Sequence, residues 1–172
     1  MEAEDRRKFI LNWLRQCSGR ITGTELAKQC QVSRQIIVQD IAILRAVGEE
    51  IVSTPQGYML LPEAKKYQVQ KIISCHHNRE QIKDEIEIII NQGGRVLNVI
   101  VEHPLYGQLQ GSLMIDNQKD LEILLSKIHD TGARPLSALT HGSHLHTIET
   151  PNQETMEEII NDLDQAGILE VS

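Results

Sequence analysis

An α+β fold in two parts is what this 172-residue sequence predicts. Three observations lead there. The first 50 residues carry apolar side chains at helical spacing, interrupted twice by turn residues. Two short strand-like runs then flank Pro55-Gln56-Gly57. The remainder alternates in the order β-α-β-β-α-β-α, which suits a two-layer sandwich of helices on an antiparallel sheet.

Each element follows from local chemistry. Residues 4–18 read as a helix with Ile10, Trp13, Leu14 and Cys17 on one stripe, Arg6, Arg7, Lys8 and Arg15 largely outside it, and Gly19 closing it. Thr22 caps a short helix through Cys30, and Gln31-Val32 makes a tight turn. Ser33 caps a third helix to about Ala46, stopped by Gly48, with Ile37, Ile41 and Leu44 inward. Strands Glu50–Thr54 and Tyr58–Leu61 complete three helices and a hairpin, the pattern of a winged helix-turn-helix. The expected domains are 1–62 and 68–172, joined by a linker at 63–67.

In the second domain a strand at Tyr67–Ser74 precedes a helix at Arg79–Asn91, capped by Asn78 with Gln81 three residues on and ended by Gly93-Gly94. Strands Arg95–Glu102 and Gln108–Ile115 flank a turn at His103–Gly107. Asn117 caps a helix with Leu121, Leu124, Leu125 and Ile128 on one face. A short piece at Arg134–Leu139 and the loop Thr140-His141-Gly142 lead to a strand at Ser143–Glu149. Thr150-Pro151 opens the last helix, ended at Gly167 before a tail Ile168–Val171.

Composition narrows the function classes. The N-terminus is acidic, no apolar run approaches a membrane span of about 18 residues, and three unpatterned cysteines fit a reducing compartment. A cytoplasmic protein with no membrane role is expected. The net charge of −7 is unevenly spread: residues 1–62 hold eight Lys/Arg against seven Asp/Glu, and residues 63–172 hold nine against seventeen. The acidity lies in the second domain, so the first remains free to present a local basic face to DNA.

A recognition helix places its N-terminal side chains at base edges in the major groove. Here Arg34, Gln35, Ile36, Val38 and Gln39 lie off the buried stripe. Gln35 and Gln39 suit adenine, and exposed aliphatics suit a thymine methyl. Ser33 and Arg34 at the helix start suit phosphate. Thr54 and Gln56, in the wing at Thr54–Tyr58, are expected to touch the neighbouring backbone or minor groove. The run Gly23-Thr24-Glu25-Leu26-Ala27 … Val32-Ser33-Arg34-Gln35 … Gly57-Tyr58-Met59-Leu60 resembles the helix-turn-helix of biotin-repressor-type regulators.

The second domain is rich in histidine. His144-Leu145-His146 places two imidazoles on the same face of a strand, within reach of one divalent ion. On the helix before it, Ile82, Ile86, Ile88, Ile89 and Ile90 form the apolar face, and Glu85 projects between Ile88 and Ile89. A carboxylate on that edge needs a cation or strong donors. A metal answers the need; so does Arg95 or Arg134. Eight helical residues would span about 12 Å, so His77 shares an ion with Glu85 only by lying off the helix and folding back over it. Cys75 reads as a small buried hydrophobe or a further ligand, and His129 as a helix C-terminal charge.

Cys75-His76-His77, Gly93-Gly94-Arg95, Val99–Gly107 and His141-Gly142-Ser143-His144-Leu145-His146 together resemble the 3H domain, which follows a winged helix in nicotinate-responsive NiaR-type repressors. The resemblance implies an HPr-like second domain and a homodimer. It also implies one divalent metal per chain, nickel or zinc, held by His77, Glu85, His144 and His146. The role it implies is operator binding in response to nicotinic acid, controlling synthesis or uptake of NAD precursors. Three imidazoles and a carboxylate suit a first-row ion with a position open to a ligand carboxylate or ring nitrogen. His103 and Tyr106 are the expected pocket-lining residues. Three alternatives stand beside this reading. One is a regulator for which the metal itself is the signal. Another is a metal-dependent hydrolase, although HExxH, nucleophile and phosphate-loop motifs are all missing. The third is a phosphocarrier module, with His77 as its phosphorylatable residue.

Overall fold

The structure is a computed structural model that describes residues 1–17, 19–61 and 67–170. The chain divides into two compact units, Met1–Glu63 and Ala64–Ser172. Pro62–Lys66, most of the expected linker, and Val171 at the end of the expected tail lie outside the described residues. Among the described residues no helix is long and apolar enough to cross a membrane.

The first unit contains α1 (Ala3–Gln16), α2 (Gly23–Cys30), α3 (Arg34–Ala46), β1 (Ile51–Thr54) and β2 (Gly57–Leu60). Thr22 caps α2 in a reciprocal box with Glu25, and the Ser33 side chain accepts from Ile36 N to cap α3. The inward stripe of α3 is as expected: Ile37, Ile41 and Leu44 join Ile10, Leu14, Ile21 and Leu26 in one core. The hairpin is tied to the helices where Ile21 bridges Tyr58. Two details depart from or add to expectation. Helix α1 ends at Gln16, two residues early, because Cys17 is already extended. Outside the apolar stripe, Arg6 and Arg7 fold over to buried Asp40 on α3, at 2.6 and 3.4 Å, a partner not assigned from the sequence. A buried carboxylate requires such cations.

The second unit runs β3 (Val69–His76), a 3-10 turn (Arg79–Gln81), α4 (Ile82–Asn91), β4 (Arg95–His103), β5 (Gly107–Ile115), α5 (Gln118–Thr131), a 3-10 turn (Leu136–Thr140), β6 (Ser143–Thr150) and α6 (Gln153–Gln165). The order β-α-β-β-α-β-α and the α+β class agree with expectation. The sheet is antiparallel throughout, in the order β3-β6-β4-β5. It packs through Ile73, Val96, Ile115 and Ile148 on Ile86, Ile89, Leu121, Met156, Ile159 and Leu163 of the helices. A Cβ on Gly94 would stand 2.9 Å from both Ile89 and Ile159, so only glycine permits this approach of the chain to α4 and α6. The last helix is capped by Asn152, not opened at Thr150-Pro151, since Thr150 still belongs to β6.

This topology positions the chemistry. Strand β6 lies between β3 and β4, so His144 and His146 come from the interior of the sheet. The register sets Cys75 of β3 opposite His144 and Ile73 opposite His146. The N-terminal end of α4 delivers Glu85 toward the same point.

Candidate metal centre and ligand cleft

Three imidazoles converge on one buried carboxylate. His77 Nε2 lies 2.7 Å from Glu85 Oε2, His146 Nε2 3.3 Å from the same oxygen, and His144 Nε2 3.2 Å from Oε1. All four side chains are at most 5% exposed. The rings of His77 and His146 each meet that of His144 edge-on, with centroids 4.8 Å apart. His77 reaches Glu85 because Asn78, the cap of the 3-10 turn, keeps it off the helix.

The opposite edge of each ring decides what the centre can do. His77 Nδ1 meets Asn78 O at 2.7 Å, His144 Nδ1 meets Gly142 O at 2.8 Å, and His146 Nδ1 meets Asn98 O at 2.6 Å. A carbonyl only accepts, so each Nδ1 carries the proton and a neutral ring leaves its Nε2 lone pair facing Glu85. Three lone pairs against a carboxylate repel unless a proton or a cation lies among them. This is the arrangement of metal-binding histidines, whose far nitrogen is fixed by a second hydrogen bond. Two donors bound at about 2.1 Å to one ion stand roughly 3.0–3.4 Å apart, and the nitrogen–oxygen separations here fall close to that range.

In the protonated alternative the electrostatics close on themselves. Burial alone would push the Glu85 carboxyl up. The charge of His146 and hydrogen bonds from His144, His146 and His77 outweigh it and hold the carboxyl well below its ordinary range. Burial alone would likewise lower His77 and His146, and the Glu85 carboxylate raises both. Protons and a metal ion would therefore compete for one place.

Cys75 joins the group. It is fully buried, and its Sγ, a Glu85 oxygen and a His144 nitrogen all lie within 4.8 Å of one another, a set able to hold a metal ion. Burial, and then the negative charge of Glu85, push its thiol far up. Neither alternative partner weighed for Glu85 is used: Arg95 pairs with Glu149 at 2.6 Å and stacks over Tyr67, and Arg134 stands at the lip of the adjoining cleft. Both nitrogens of His77 are engaged inside the unit, which counts against its service as a phosphoryl acceptor.

Above the centre opens a cleft enclosing about 590 Å³, part of it open to solvent. Its floor is His77, Glu85, His144 and His146, and its walls include Val99, Leu113, Leu124 and Leu136. His103 and Tyr106 are not among the lining residues. They stack on each other at the β4–β5 turn, where His103 Nδ1 accepts from the Leu105 and Tyr106 amides, so a turn occupies the histidine expected in the pocket.

Two positioning residues were not singled out from sequence. Asn98, at the bulge of β4, accepts from His146 through its carbonyl and from Thr147 N through Oδ1. A lone Asn within Val96-Leu97-Asn98-Val99-Ile100 was the available signal. Gly142 sits at φ +99°, and a Cβ there would stand 2.5 Å from His77 O. No other residue lets that loop pass so close while its carbonyl orients His144.

In the first unit Arg34, Gln35 and Gln39 of α3 and its cap Ser33 are exposed, available to a partner. The wing differs from expectation. Gln56 is 6% exposed, and Thr54 Oγ1 donates to Gly57 O and accepts from Gln56 N. The tight turn engages the Thr54 side chain and the Gln56 amide, and burial of the Gln56 side chain removes it as a DNA contact in this conformation.

Comparison with known proteins agrees with both units. Residues 6–59 match the family model of an HTH domain, and residues 70–171 match that of the 3H domain. The chain is 39% identical over 167 residues to the "Transcription repressor NadR" of Bacillus subtilis (strain 168), covering 96% of this chain and 93% of that protein. It is 39% identical over 166 residues to the "Probable transcription repressor NiaR" of Thermotoga maritima (strain ATCC 43589 / DSM 3109 / JCM 10099 / NBRC 100826 / MSB8), covering 96% and 94%.

Proposed function

This chain belongs to the NadR/NiaR-type family of transcription repressors, and on that premise we propose that its 3H unit binds a divalent metal and nicotinic acid, and that the acid sets the affinity of its helix-turn-helix for operator DNA. The relatives are repressors and not enzymes, so the hydrolase alternative falls.

One observation carries the proposal: three Nε2 atoms, each with its Nδ1 bound to a carbonyl, face one buried carboxylate at the floor of an apolar cleft. His77, Glu85, His144 and His146 hold a nickel or zinc ion, with Cys75 beside them. Bound there, the ion supplies a Lewis-acid position for a ligand's ring nitrogen or carboxylate. The chain's own residues do the rest. The Asn78, Gly142 and Asn98 carbonyls keep the imidazoles in the ligating tautomer, and the aliphatic walls exclude water from a flat ring.

In this reading, residues 1–62 form the DNA-reading domain and 68–172 the sensing domain of a cytoplasmic homodimer. Two α3 helices would occupy successive major grooves, with Arg34, Gln35 and Gln39 at the bases and Ser33 at the phosphate. The regulated genes serve synthesis or uptake of NAD precursors. A ligand moves the DNA equilibrium only by binding one dimer geometry better than another.

The test uses DNA fragments selected from a random pool by the nickel- or zinc-loaded chain. Their retention in a mobility-shift gel should change when nicotinic acid is added and stay constant with nicotinamide. Identical retention with and without the acid overturns the effector assignment. Retention that instead follows metal alone supports a metal sensor, a reading favoured by the soft sulfur of Cys75 beside Glu85 and His144.

A further inference from the structure

Arg134 stands where two spaces meet. It lines the apolar cleft over the histidines and also a neighbouring groove bounded by His76, Arg79, Ser137 and His141. It is an exposed residue of the loop between α5 and the 3-10 turn Leu136–Thr140, which forms one wall. The other arginines described here are mostly committed. Arg6 and Arg7 bind Asp40, Arg15 binds Glu49, Arg95 binds Glu149, Arg45 binds Ile51 O and Ser53, and Arg79 binds Ile128 O. Arg134 makes no hydrogen bond or ion pair among the described residues, in a chain with 24 acidic side chains against 17 basic ones.

The surroundings favour an external anion. Glu85 is the sole acid among the residues lining the two spaces, and three imidazoles already surround it. No carboxylate of the lining therefore competes for the guanidinium or repels a ligand approaching it. A guanidinium presents a planar fork that two oxygens of one carboxylate fill together. An amide of the same shape offers one acceptor and turns its NH2 donors toward the cation, so it forfeits one of the two bonds. The aliphatic walls beside the fork, Val99, Leu113, Leu124 and Leu136, accept a flat apolar ring in place of a sugar or phosphate.

We propose that Arg134 is the residue that selects a small aromatic carboxylate over its uncharged amide in this cleft. The proposal rests on the sensing reading above and adds to it the group that reads the ligand's charge. It divides the work of recognition: the walls accept the ring, and Arg134 at the lip accepts the acid.

The full chain, loaded with nickel or zinc, is titrated calorimetrically with nicotinic acid, nicotinamide and benzoic acid, as the parent and as Arg134→Met and Arg134→Lys, with metal content measured on each. Arg134→Met should weaken the acids by roughly tenfold or more, the range for a lost charge-assisted hydrogen bond. It should leave nicotinamide within about twofold, and Arg134→Lys should recover part of the loss. If Arg134→Met binds nicotinic acid as tightly as the parent with its metal intact, the selector role is overturned and the effector assignment stands. If the parent ignores nicotinic acid but binds benzoic acid through Arg134, the effector assignment falls and the selector role stands. A parent that binds no ring carboxylate overturns both. Loss of metal from Arg134→Met makes Arg134 a support of the metal centre and overturns the selector role.

Discussion

Replacing Glu85 by glutamine tests the centre most directly, because the substitution removes a charge and keeps the shape. Glu85 is 1% exposed and meets three imidazole nitrogens between 2.7 and 3.3 Å. Breaking a buried ion pair costs about 3–5 kcal/mol when the remaining charge has nowhere to go. Here His77 and His146 can release their protons, and the glutamine amide can donate to one Nε2, so the expected loss in chelator at pH 6 is about 2–3 kcal/mol. For a unit of this size that is a fall of roughly 8–15 °C in melting temperature. The assay is thermal unfolding in chelator at pH 6 and pH 9, with Glu87→Gln on the same helix as control. Glu87 accepts from Gln118 at the surface, and its loss should be worth no more than about 0.5 kcal/mol. As pH climbs through the raised values of His77 and His146, the Glu85→Gln penalty should shrink or reverse, because the amide then relieves lone-pair repulsion. A melting temperature within about 2 °C of the parent at pH 6 would refute the claim that protonated His77 and His146 flank a carboxylate.

Three further outcomes follow from the same geometry. His77 and His146 are raised in the folded state, so their contribution is complete below 6.5 and is lost as pH climbs through the raised values; Glu85 is lowered, so its contribution is complete above 4.5 and is lost as pH falls through the lowered value. The chelated protein should therefore be most stable between 4.5 and 6.5, and stabilisation by added zinc should grow from pH 6 to pH 8; a zinc effect independent of pH would count against imidazole ligation. Gly142→Ala forces a Cβ 2.5 Å from His77 O at a positive φ and should lower metal affinity by about tenfold or more, measured by competition with a chromogenic chelator; unchanged affinity would remove the loop from the centre. Gln35→Ala should relax the bases preferred at one operator position, costing about 1–3 kcal/mol there. Gln56→Ala should leave base preference as it was, and binding-site selection with each variant separates the two.

How much of this was legible in the sequence depends on how local the cause is. The caps at Thr22, Ser33, Asn78 and Asn117 are one-residue decisions with a partner three residues on, and each holds in the structure. Glu85 was legible as a misplaced charge, since an acid inside an isoleucine face demands a partner. Which partner it takes is a matter of topology. Arg95 is close in sequence yet is drawn to Glu149, its cross-strand neighbour in the β4–β6 register. Gln56 looked like a wing contact because turns are usually exposed, but the antiparallel pairing of Ile21 with Tyr58 draws that turn onto the helices. His103 looked like a pocket residue because it precedes Pro104 near an aromatic, and the two-amide acceptor role that holds it in the turn depends on backbone directions no residue pattern reports.

The centre also explains why a sensing unit would be built around a buried charge that an apolar core could dispense with. Fixing each Nδ1 on a carbonyl removes the tautomer in which Nε2 could itself donate to Glu85 as a neutral ring. Without an ion the site would then either hold protons, at the expense of desolvating an imidazolium, or bear the repulsion of lone pairs. Near neutral pH neither state is comfortable, and a divalent ion relieves both at once while leaving all the second-edge hydrogen bonds in place. Binding energy at an ion held there would thereby be coupled to the packing of β3, α4, β4 and β6, the elements that carry Cys75, Glu85, Asn98, His144 and His146. On the proposed reading, a ligand that changed how the ion is held would act on all four elements together, which is the mechanical requirement for a signal that starts in a cleft and must be felt beyond it.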